Sequence, residues 1–289
     1  MSTLGERYRE LESRVAAWAE TRDDVRAAVV VGSRSRSHDH PADDASDLDV
    51  LLFVEDVERY LTDTSWLSAI DDVWTSMVHR TSRGDPEHLV VYAGGVRADL
   101  VLVGTAAAEA LGTLKALPEP LCRGMRFLLD RDGMEERVRA APAVSRRMEP
   151  PSQREFDRCA HAFWFMALYV VQQLYRGDLW WAFACDGRLK EMLLPVIEYH
   201  ARATRGVDTW HNGRFIADWA DPRVLVAIPA LWARYDAGDA WHALDAAVDL
   251  FRWVAREAAA AMGLEYPETV DARMSGAIDA LRGARVADA

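Results

Sequence analysis

The sequence predicts an α+β protein in two parts, an N-terminal mixed sheet with flanking helices followed by a C-terminal all-α region. Three observations carry this. Short apolar runs bounded by glycines and polar loops, the mark of buried strands, occur only in the first half. Apolar residues at three- and four-residue spacing dominate the second half. Between them Pro150-Pro151 precedes Ser152-Gln153-Arg154-Glu155, a capping box that opens a helix. The 289 residues suffice for two domains. The boundary is expected near 145–151, with residues 1–148 as the first domain and 149–289 as the second.

The elements follow in order. Leu4, Tyr8, Leu11, Val15 and Trp18 recur at helical spacing and predict an amphipathic helix over 3–20. AAVVVG at 27–32 reads as a buried strand ending on a glycine. A polar Ser/His/Asp loop at 33–46 leads to SDLDVLLFV at 46–54, a second strand. Trp66, Ile70, Val73 and Met77 have the spacing of one helix face. HLVVYAGGVRADLVLV at 88–103 reads as a hairpin turning at Gly94-Gly95. Beyond Pro151 helices are expected over 153–175, about 179–203, about 222–236 and 240–262. The tryptophans at 164, 180, 181, 232, 241 and 253 read as helix-packing core, with one of Trp180 and Trp181 free to line a cleft, because neighbours on a helix point in different directions.

Composition narrows the function. Half the residues are hydrophobic and 28% are charged, a globular balance. Lys and Arg number 34 against 46 Asp and Glu, a formal net charge of −12. Nucleic acid is therefore not the expected partner, since phosphate backbones call for a basic face. A cationic small molecule or a metal–nucleotide complex suits this charge better. No run of residues is apolar enough to span a membrane, the N-terminus lacks the pattern of a secretory signal, and three scattered cysteines form no disulfide or zinc framework. The expected location is the cytoplasm.

The chemistry concentrates in Val31-Gly32-Ser33-Arg34, Ser46-Asp47-Leu48-Asp49 and Arg97-Ala98-Asp99-Leu100. Strand alternation puts Asp47 and Asp49 on one side while Leu48 and Val50 face the core. Carboxylates so close repel one another unless a cation lies between them. Mg²⁺ takes oxygen ligands and commonly shares them with phosphates. Gly32-Ser33 lets backbone N–H groups approach a phosphate. Asp99, between small and apolar neighbours, also faces away from the core. An isolated Asp-x-Asp often marks only a solvated strand end. The ordered set of strand, Gly-Ser turn, Asp-x-Asp strand and a later strand with one Asp is far more specific, and it fits Mg²⁺-assisted nucleotidyl transfer.

That order resembles the nucleotidyltransferase superfamily related to DNA polymerase β. Within it, Thr62-Asp63-Thr64-Ser65-Trp66-Leu67, Phe127-Leu128-Leu129-Asp130-Arg131-Asp132-Gly133, Phe156 with Phe163-Trp164, Leu250-Phe251-Arg252 and Glu265-Tyr266-Pro267 are similar to the aminoglycoside 6-adenylyltransferases that modify streptomycin. The resemblance runs from about residue 4 to residue 281. It implies an N-terminal domain that holds ATP and Mg²⁺ and a helical domain that closes over the antibiotic. It implies Asp47, Asp49 and Asp99 as metal ligands, and Gly32, Ser33 and Arg34 as holders of the triphosphate. A hydroxyl of the drug would attack the α-phosphorus and release pyrophosphate.

The same resemblance places a general base near Asp186, for which the alternative is a cap on a helix over 187–203. Lys190, one turn on, either forms a surface ion pair with Asp186 or reaches a phosphate. The acidic balance suits the guanidinium groups of streptomycin, and Asp178 and Glu198 flank the region of the suspected base. Another aminoglycoside or a lincosamide as substrate, a protein substrate, and an inactive nucleotide-binding regulator are the competing readings.

Overall fold

The computed structural model describes residues 3–107, 119–140 and 150–287. The chain separates into two compact units, Met1–Ser145 and Arg146–Ala289. Most of the segment expected to hold the boundary, 145–149, lies outside the described residues.

The first unit begins with α1 (Leu4–Glu20), which Thr3 and Glu6 close with a capping box. A six-stranded mixed sheet follows, built of β1 (Val25–Val31), β2 (Leu48–Val54), β3 (Val73–Arg80), β4 (Pro86–Tyr92), β5 (Val96–Gly104) and β6 (Arg126–Asp130) in the order β3-β4-β5-β2-β1-β6. Only β2 and β5 run parallel; every other neighbouring pair is antiparallel. Side-chain alternation gives the sheet two different faces. On one face Val30, Val50, Leu52, Leu100 and Leu102 pack under α1 and the short helices α2 (Val57–Thr62) and α3 (Ser65–Ile70). Trp18 and Trp66 stack there with ring centroids 4.8 Å apart. On the other face a smaller core of Ala27, Val29, Val31 and Phe53 meets α4 (Glu119–Cys122) and α5 (Met134–Ala140).

The expected helix, strands 27–32 and 46–54 and the 88–103 hairpin are all present. The helix expected to carry Val73 and Met77 stops at Ile70, where Asp71 is extended, and both residues lie on β3. β3 is an edge strand exposed along nearly its whole length, so no buried face imposes an alternating pattern on it. β6 is also new, and its neighbour β1 needs it, since the β1 ladder would otherwise be an open edge.

The second unit is helical: α6 (Gln153–Arg176), α7 (Leu179–Arg205), α8 (Ile216–Trp219), α9 (Pro222–Ala227), α10 (Ala237–Met262) and α11 (Glu268–Ala287). Ser152 and Glu155 form the expected capping box at the start of α6. The core gathers Phe156, Phe163, Trp164, Leu193 and Phe251, with Phe163 and Phe251 stacked at 3.9 Å. The helix expected over 222–236 instead ends at Ala227, tightens into a 3-10 turn over Ile228–Leu231 and becomes extended at Trp232. Pro229 lacks an N–H to continue the α ladder, which accounts for the break. Asp271 ties α11 to α10, accepting hydrogen bonds from Arg252 (3.0 Å), Tyr266 (2.9 Å) and Ser275 (3.0 Å). Among the described residues no helix is long and apolar enough to cross a membrane.

Candidate active site

The parallel pairing of β2 with β5 sets Asp49 directly beside Asp99 in register. Side chains at paired positions share a sheet face, so both carboxylates stand opposite the α1–α3 core, into which Leu48, Val50, Ala98 and Leu100 are fully buried. The same register row continues through Leu89 to Met77 on the edge strand. Val31 pairs with Asp49 from the other side, and Gly32 follows it immediately.

Gly32 begins a 3-10 turn, Gly32–Ser35, with φ +68°. A Cβ built there would lie 2.1 Å from Asp49 Oδ2. The Asp49 carboxylate thus occupies the space a side chain would need, and glycine is required both for this contact and for the left-handed backbone. Ser33 is buried, and its carbonyl accepts from the backbone N–H groups of Arg36 (3.2 Å) and Ala42 (3.1 Å), which folds the loop back over the turn.

Arg34 lies close by, but its guanidinium faces the loop. Nε donates to the carbonyls of Ser46 (3.2 Å) and Asp47 (3.1 Å), Nη2 donates to Ser46 (2.6 Å), and the group lies 3.7 Å from the ring centroid of Tyr8. In this arrangement Arg34 fixes the backbone that delivers Asp47 and Asp49.

Asp47 stands just ahead of β2, and its Oδ2 pairs with Arg97 Nη2. Burial raises Asp99 to about 6, and the charges of Asp47 and Glu87 push in the same direction while Arg97 and His79 oppose them. Glu87 is itself buried on the same face, where His79 Nδ1 lies 2.8 Å from its Oε1. Glu87 and Arg97 are the site neighbours that sequence reasoning did not single out. Period-two counting from Asp99 along β5 finds Arg97, and the register of the hairpin finds Glu87.

In the helical unit Asp186 is not a helix cap. α7 begins seven residues earlier, at Leu179, capped by Asp178, whose side chain accepts from the Trp181 N–H. Asp186 lies mid-helix and forms an ion pair with Lys190. The pair is not at the surface: the side chains are 13% and 8% exposed, and burial holds the Lys190 ammonium below its ordinary pKa against the pull of Asp186. Lys190 Nζ is 5.9 Å from the ring of Trp232, and Phe183, one turn before Asp186, meets Tyr235 at 5.2 Å. Trp232 and Tyr235 are each 63% exposed. Trp180 is exposed as well, so neither it nor Trp232 belongs to the core, whereas Trp164 does. Glu198 pairs with Arg202 at 3.2 Å, and burial raises its pKa.

Among the described residues no three Asp, Glu, His or Cys side chains are gathered closely enough to hold a metal ion as the chain stands. The donor set nonetheless suits a hard divalent cation. Asp49 and Asp99 are side by side, and the negative charge of Asp99 is disfavoured both by burial and by neighbouring carboxylates. Asp47 is adjacent and is turned toward Arg97.

A mixed sheet that presents carboxylates from paired parallel strands beside a glycine turn is a framework for nucleotidyl transfer, and the chain is a nucleotidyltransferase. More narrowly, residues 6–279 match the family described as streptomycin adenylyltransferase, and the chain belongs to that family. Relatives include an aminoglycoside 6-adenylyltransferase of Campylobacter jejuni, 23% identical over 274 residues with 90% of each chain covered. One from Bacillus subtilis (strain 168) is 23% identical, covering 84% of this chain and 87% of that protein, and one from Staphylococcus aureus is 21% identical, covering 90% and 93%. A crystal structure of an aminoglycoside 6-adenyltransferase from Bacillus subtilis aligns over 98% of this chain and 99% of its own at 17% identity, with a TM-score of 0.47.

Proposed function

We propose that the protein transfers the adenylyl group of ATP to a hydroxyl of an aminoglycoside, namely position 6 of streptomycin, and releases pyrophosphate. The observation that carries this reading is the in-register pair Asp49 and Asp99, with Gly32 kept bare against Asp49. Asp49, Asp99 and Asp47 would hold Mg²⁺, which when bound supplies positive charge to the attacking and leaving oxygens. Gly32 and Ser33 present backbone to the phosphates, and Arg34 holds their loop in place. Asp186 of the helical unit, ion-paired with Lys190, is the base in this reading and takes the proton from the attacking hydroxyl. The exposed rings of Trp232 and Tyr235 offer π faces to guanidinium groups of the drug. The net charge of −12 favours encounter with a polycation.

The test is incubation with ATP, Mg²⁺ and a panel of aminoglycosides and lincosamides, reading pyrophosphate release and the mass of the modified drug. Release with streptomycin and a monoadenylylated product is the expected result. Release only with another small molecule reassigns the substrate. Adenylylation of an added protein, or nucleotide binding with no turnover on any compound, overturns the reading.

A further inference from the structure

Asp47 and Arg97 form an ion pair at the open side of the carboxylate face. Arg97 lies two residues before Asp99 on β5, so it stands on the same face as Asp99 and Asp49. Its side chain is 58% exposed, while that of Asp47 is only 23% exposed. The arginine is therefore the more solvent-exposed member of the pair, with room to turn to another anion. Asp47 is the acid of the Asp-x-Asp pair whose carboxylate is engaged by Arg97.

From these positions we infer that Arg97 is a resident counter-ion that exchanges partners when a metal–nucleotide arrives. Without nucleotide, its guanidinium neutralises Asp47 and limits the repulsion that Asp47 exerts on Asp99. When a nucleoside triphosphate enters with its divalent cation, that cation replaces the guanidinium at Asp47, and the released Arg97 pairs with a phosphate oxygen of the same ligand. The exchange leaves no charge stranded: a divalent cation takes the place of the guanidinium at the carboxylate, and the displaced guanidinium meets the polyphosphate that accompanied the newcomer. Arginine suits the second half, because its planar fork accommodates phosphate as readily as carboxylate. A further consequence is selectivity for the complex over the bare ion. A free metal ion must displace Arg97 with nothing to receive it, whereas a metal–triphosphate brings the receiver along.

This inference rests on the carboxylate face being the nucleotide site, and the test separates the two. Binding of Mn²⁺ alone is read by electron paramagnetic resonance of the free ion, and binding of Mn²⁺ with a non-hydrolysable ATP analogue by calorimetry. Wild type, Arg97→Ala and Arg97→Gln are compared, with circular dichroism confirming the fold. Removing the competing guanidinium should tighten binding of Mn²⁺ alone by about two- to fivefold, the range an exposed ion pair supports. It should weaken binding of the metal–nucleotide by a similar or larger factor. These opposite signs are the signature, because a purely structural arginine would move both affinities together or neither. Unchanged or weakened binding of Mn²⁺ alone in both variants, with the analogue still bound by wild type, overturns the exchange and leaves the site assignment standing. Failure of wild type to bind either the ion or its nucleotide complex overturns the site assignment and the exchange with it.

Discussion

Asp99 is placed where a carboxylate harms the fold. Burial first, and then the charges of Asp47 and Glu87, raise it to about 6 from an ordinary value near 4. For an acid raised on folding, ionisation weakens the native state, and stability is lost as pH rises from about 4 through about 6. Replacing it with a neutral isostere removes this penalty. Asp99→Asn should therefore leave stability at pH 8 in metal-free buffer unchanged or higher, by on the order of 1 kcal/mol after allowance for partial exposure, in denaturant titrations. The same variant should lose turnover by at least about 10²-fold if the carboxylate holds the metal. Loss of stability together with activity would mark Asp99 as structural. Gly32 is bound to the same chemistry by sterics. In Gly32→Ala the new Cβ meets Asp49 Oδ2 at 2.1 Å, and alanine is strained at φ +68°. The backbone term costs about 1–2 kcal/mol, and displacing Asp49 by an ångström is enough to cost about 10² in rate. A melting curve lowered by a few degrees with near-complete loss of pyrophosphate release is the expected pair of results.

At the scale of elements, α7 carries a problem that its sequence alone does not reveal. Asp186 and Lys190 at i, i+4 look like a surface pair, yet Lys190 is buried and the Asp186 side chain is largely covered in the folded helical unit. Breaking such a pair leaves an uncompensated charge, so Asp186→Asn should destabilise by about 3 kcal/mol in urea titrations. Lost stability would then be confused with lost catalysis. The double variant Asp186→Asn with Lys190→Met removes the stranded charge and should recover most of the stability. If Asp186 is the base, the double variant stays slower than wild type by roughly 10²–10⁴; recovery of turnover would assign Asp186 to the fold alone.

Other elements differ in how far their patterns could be read. Asp47, Asp49 and Asp99 stand out because strand alternation makes an acid among buried aliphatics conspicuous, and the glycine pair at 94–95 fixes the hairpin that carries the third of them. β3 carries no strand signature because an edge strand exposed on both faces has no reason to alternate, and the apolar spacing from Trp66 to Met77 matches a helix. The link between Asp47 and Arg97 depends on the pairing of β2 with β5, two segments some fifty residues apart, and no local pattern encodes such a pairing. α11 packs Val270, Met274, Ile278 and Leu281 on the helical core at the spacing of one helix face, whereas its polar ties through Asp271 to Arg252 and Tyr266 leave no such mark in the sequence.

Across the whole molecule carboxylates shifted up and carboxylates shifted down together set the response to acid. In the first unit the largest carboxylate shift is upward, at Asp99, so protonation there relieves the fold. In the helical unit burial raises Glu198, but Glu257 and Asp271 are shifted downward. Glu257 falls to about 2 because the buried His200 hydrogen-bonds to it at 2.8 Å and Arg223 approaches at 3.1 Å. Burial alone would raise Asp271, but hydrogen bonds from Arg252, Tyr266 and Ser275 outweigh it and hold Asp271 below its ordinary value. An acid depressed on folding stabilises the native state above its unfolded pKa, and that contribution is lost as pH falls toward the folded value. Stability should thus decline between about pH 4.5 and pH 2, with Glu257 and Asp271 among the contributors. Glu257→Gln tests this without removing volume, since the amide still meets His200 but no longer titrates. Urea midpoints measured across that range by the helical circular dichroism signal should fall less steeply for the variant than for wild type, and the two should converge near pH 2. Parallel curves for the two proteins would place the acid sensitivity elsewhere, with Asp271 the next group to replace.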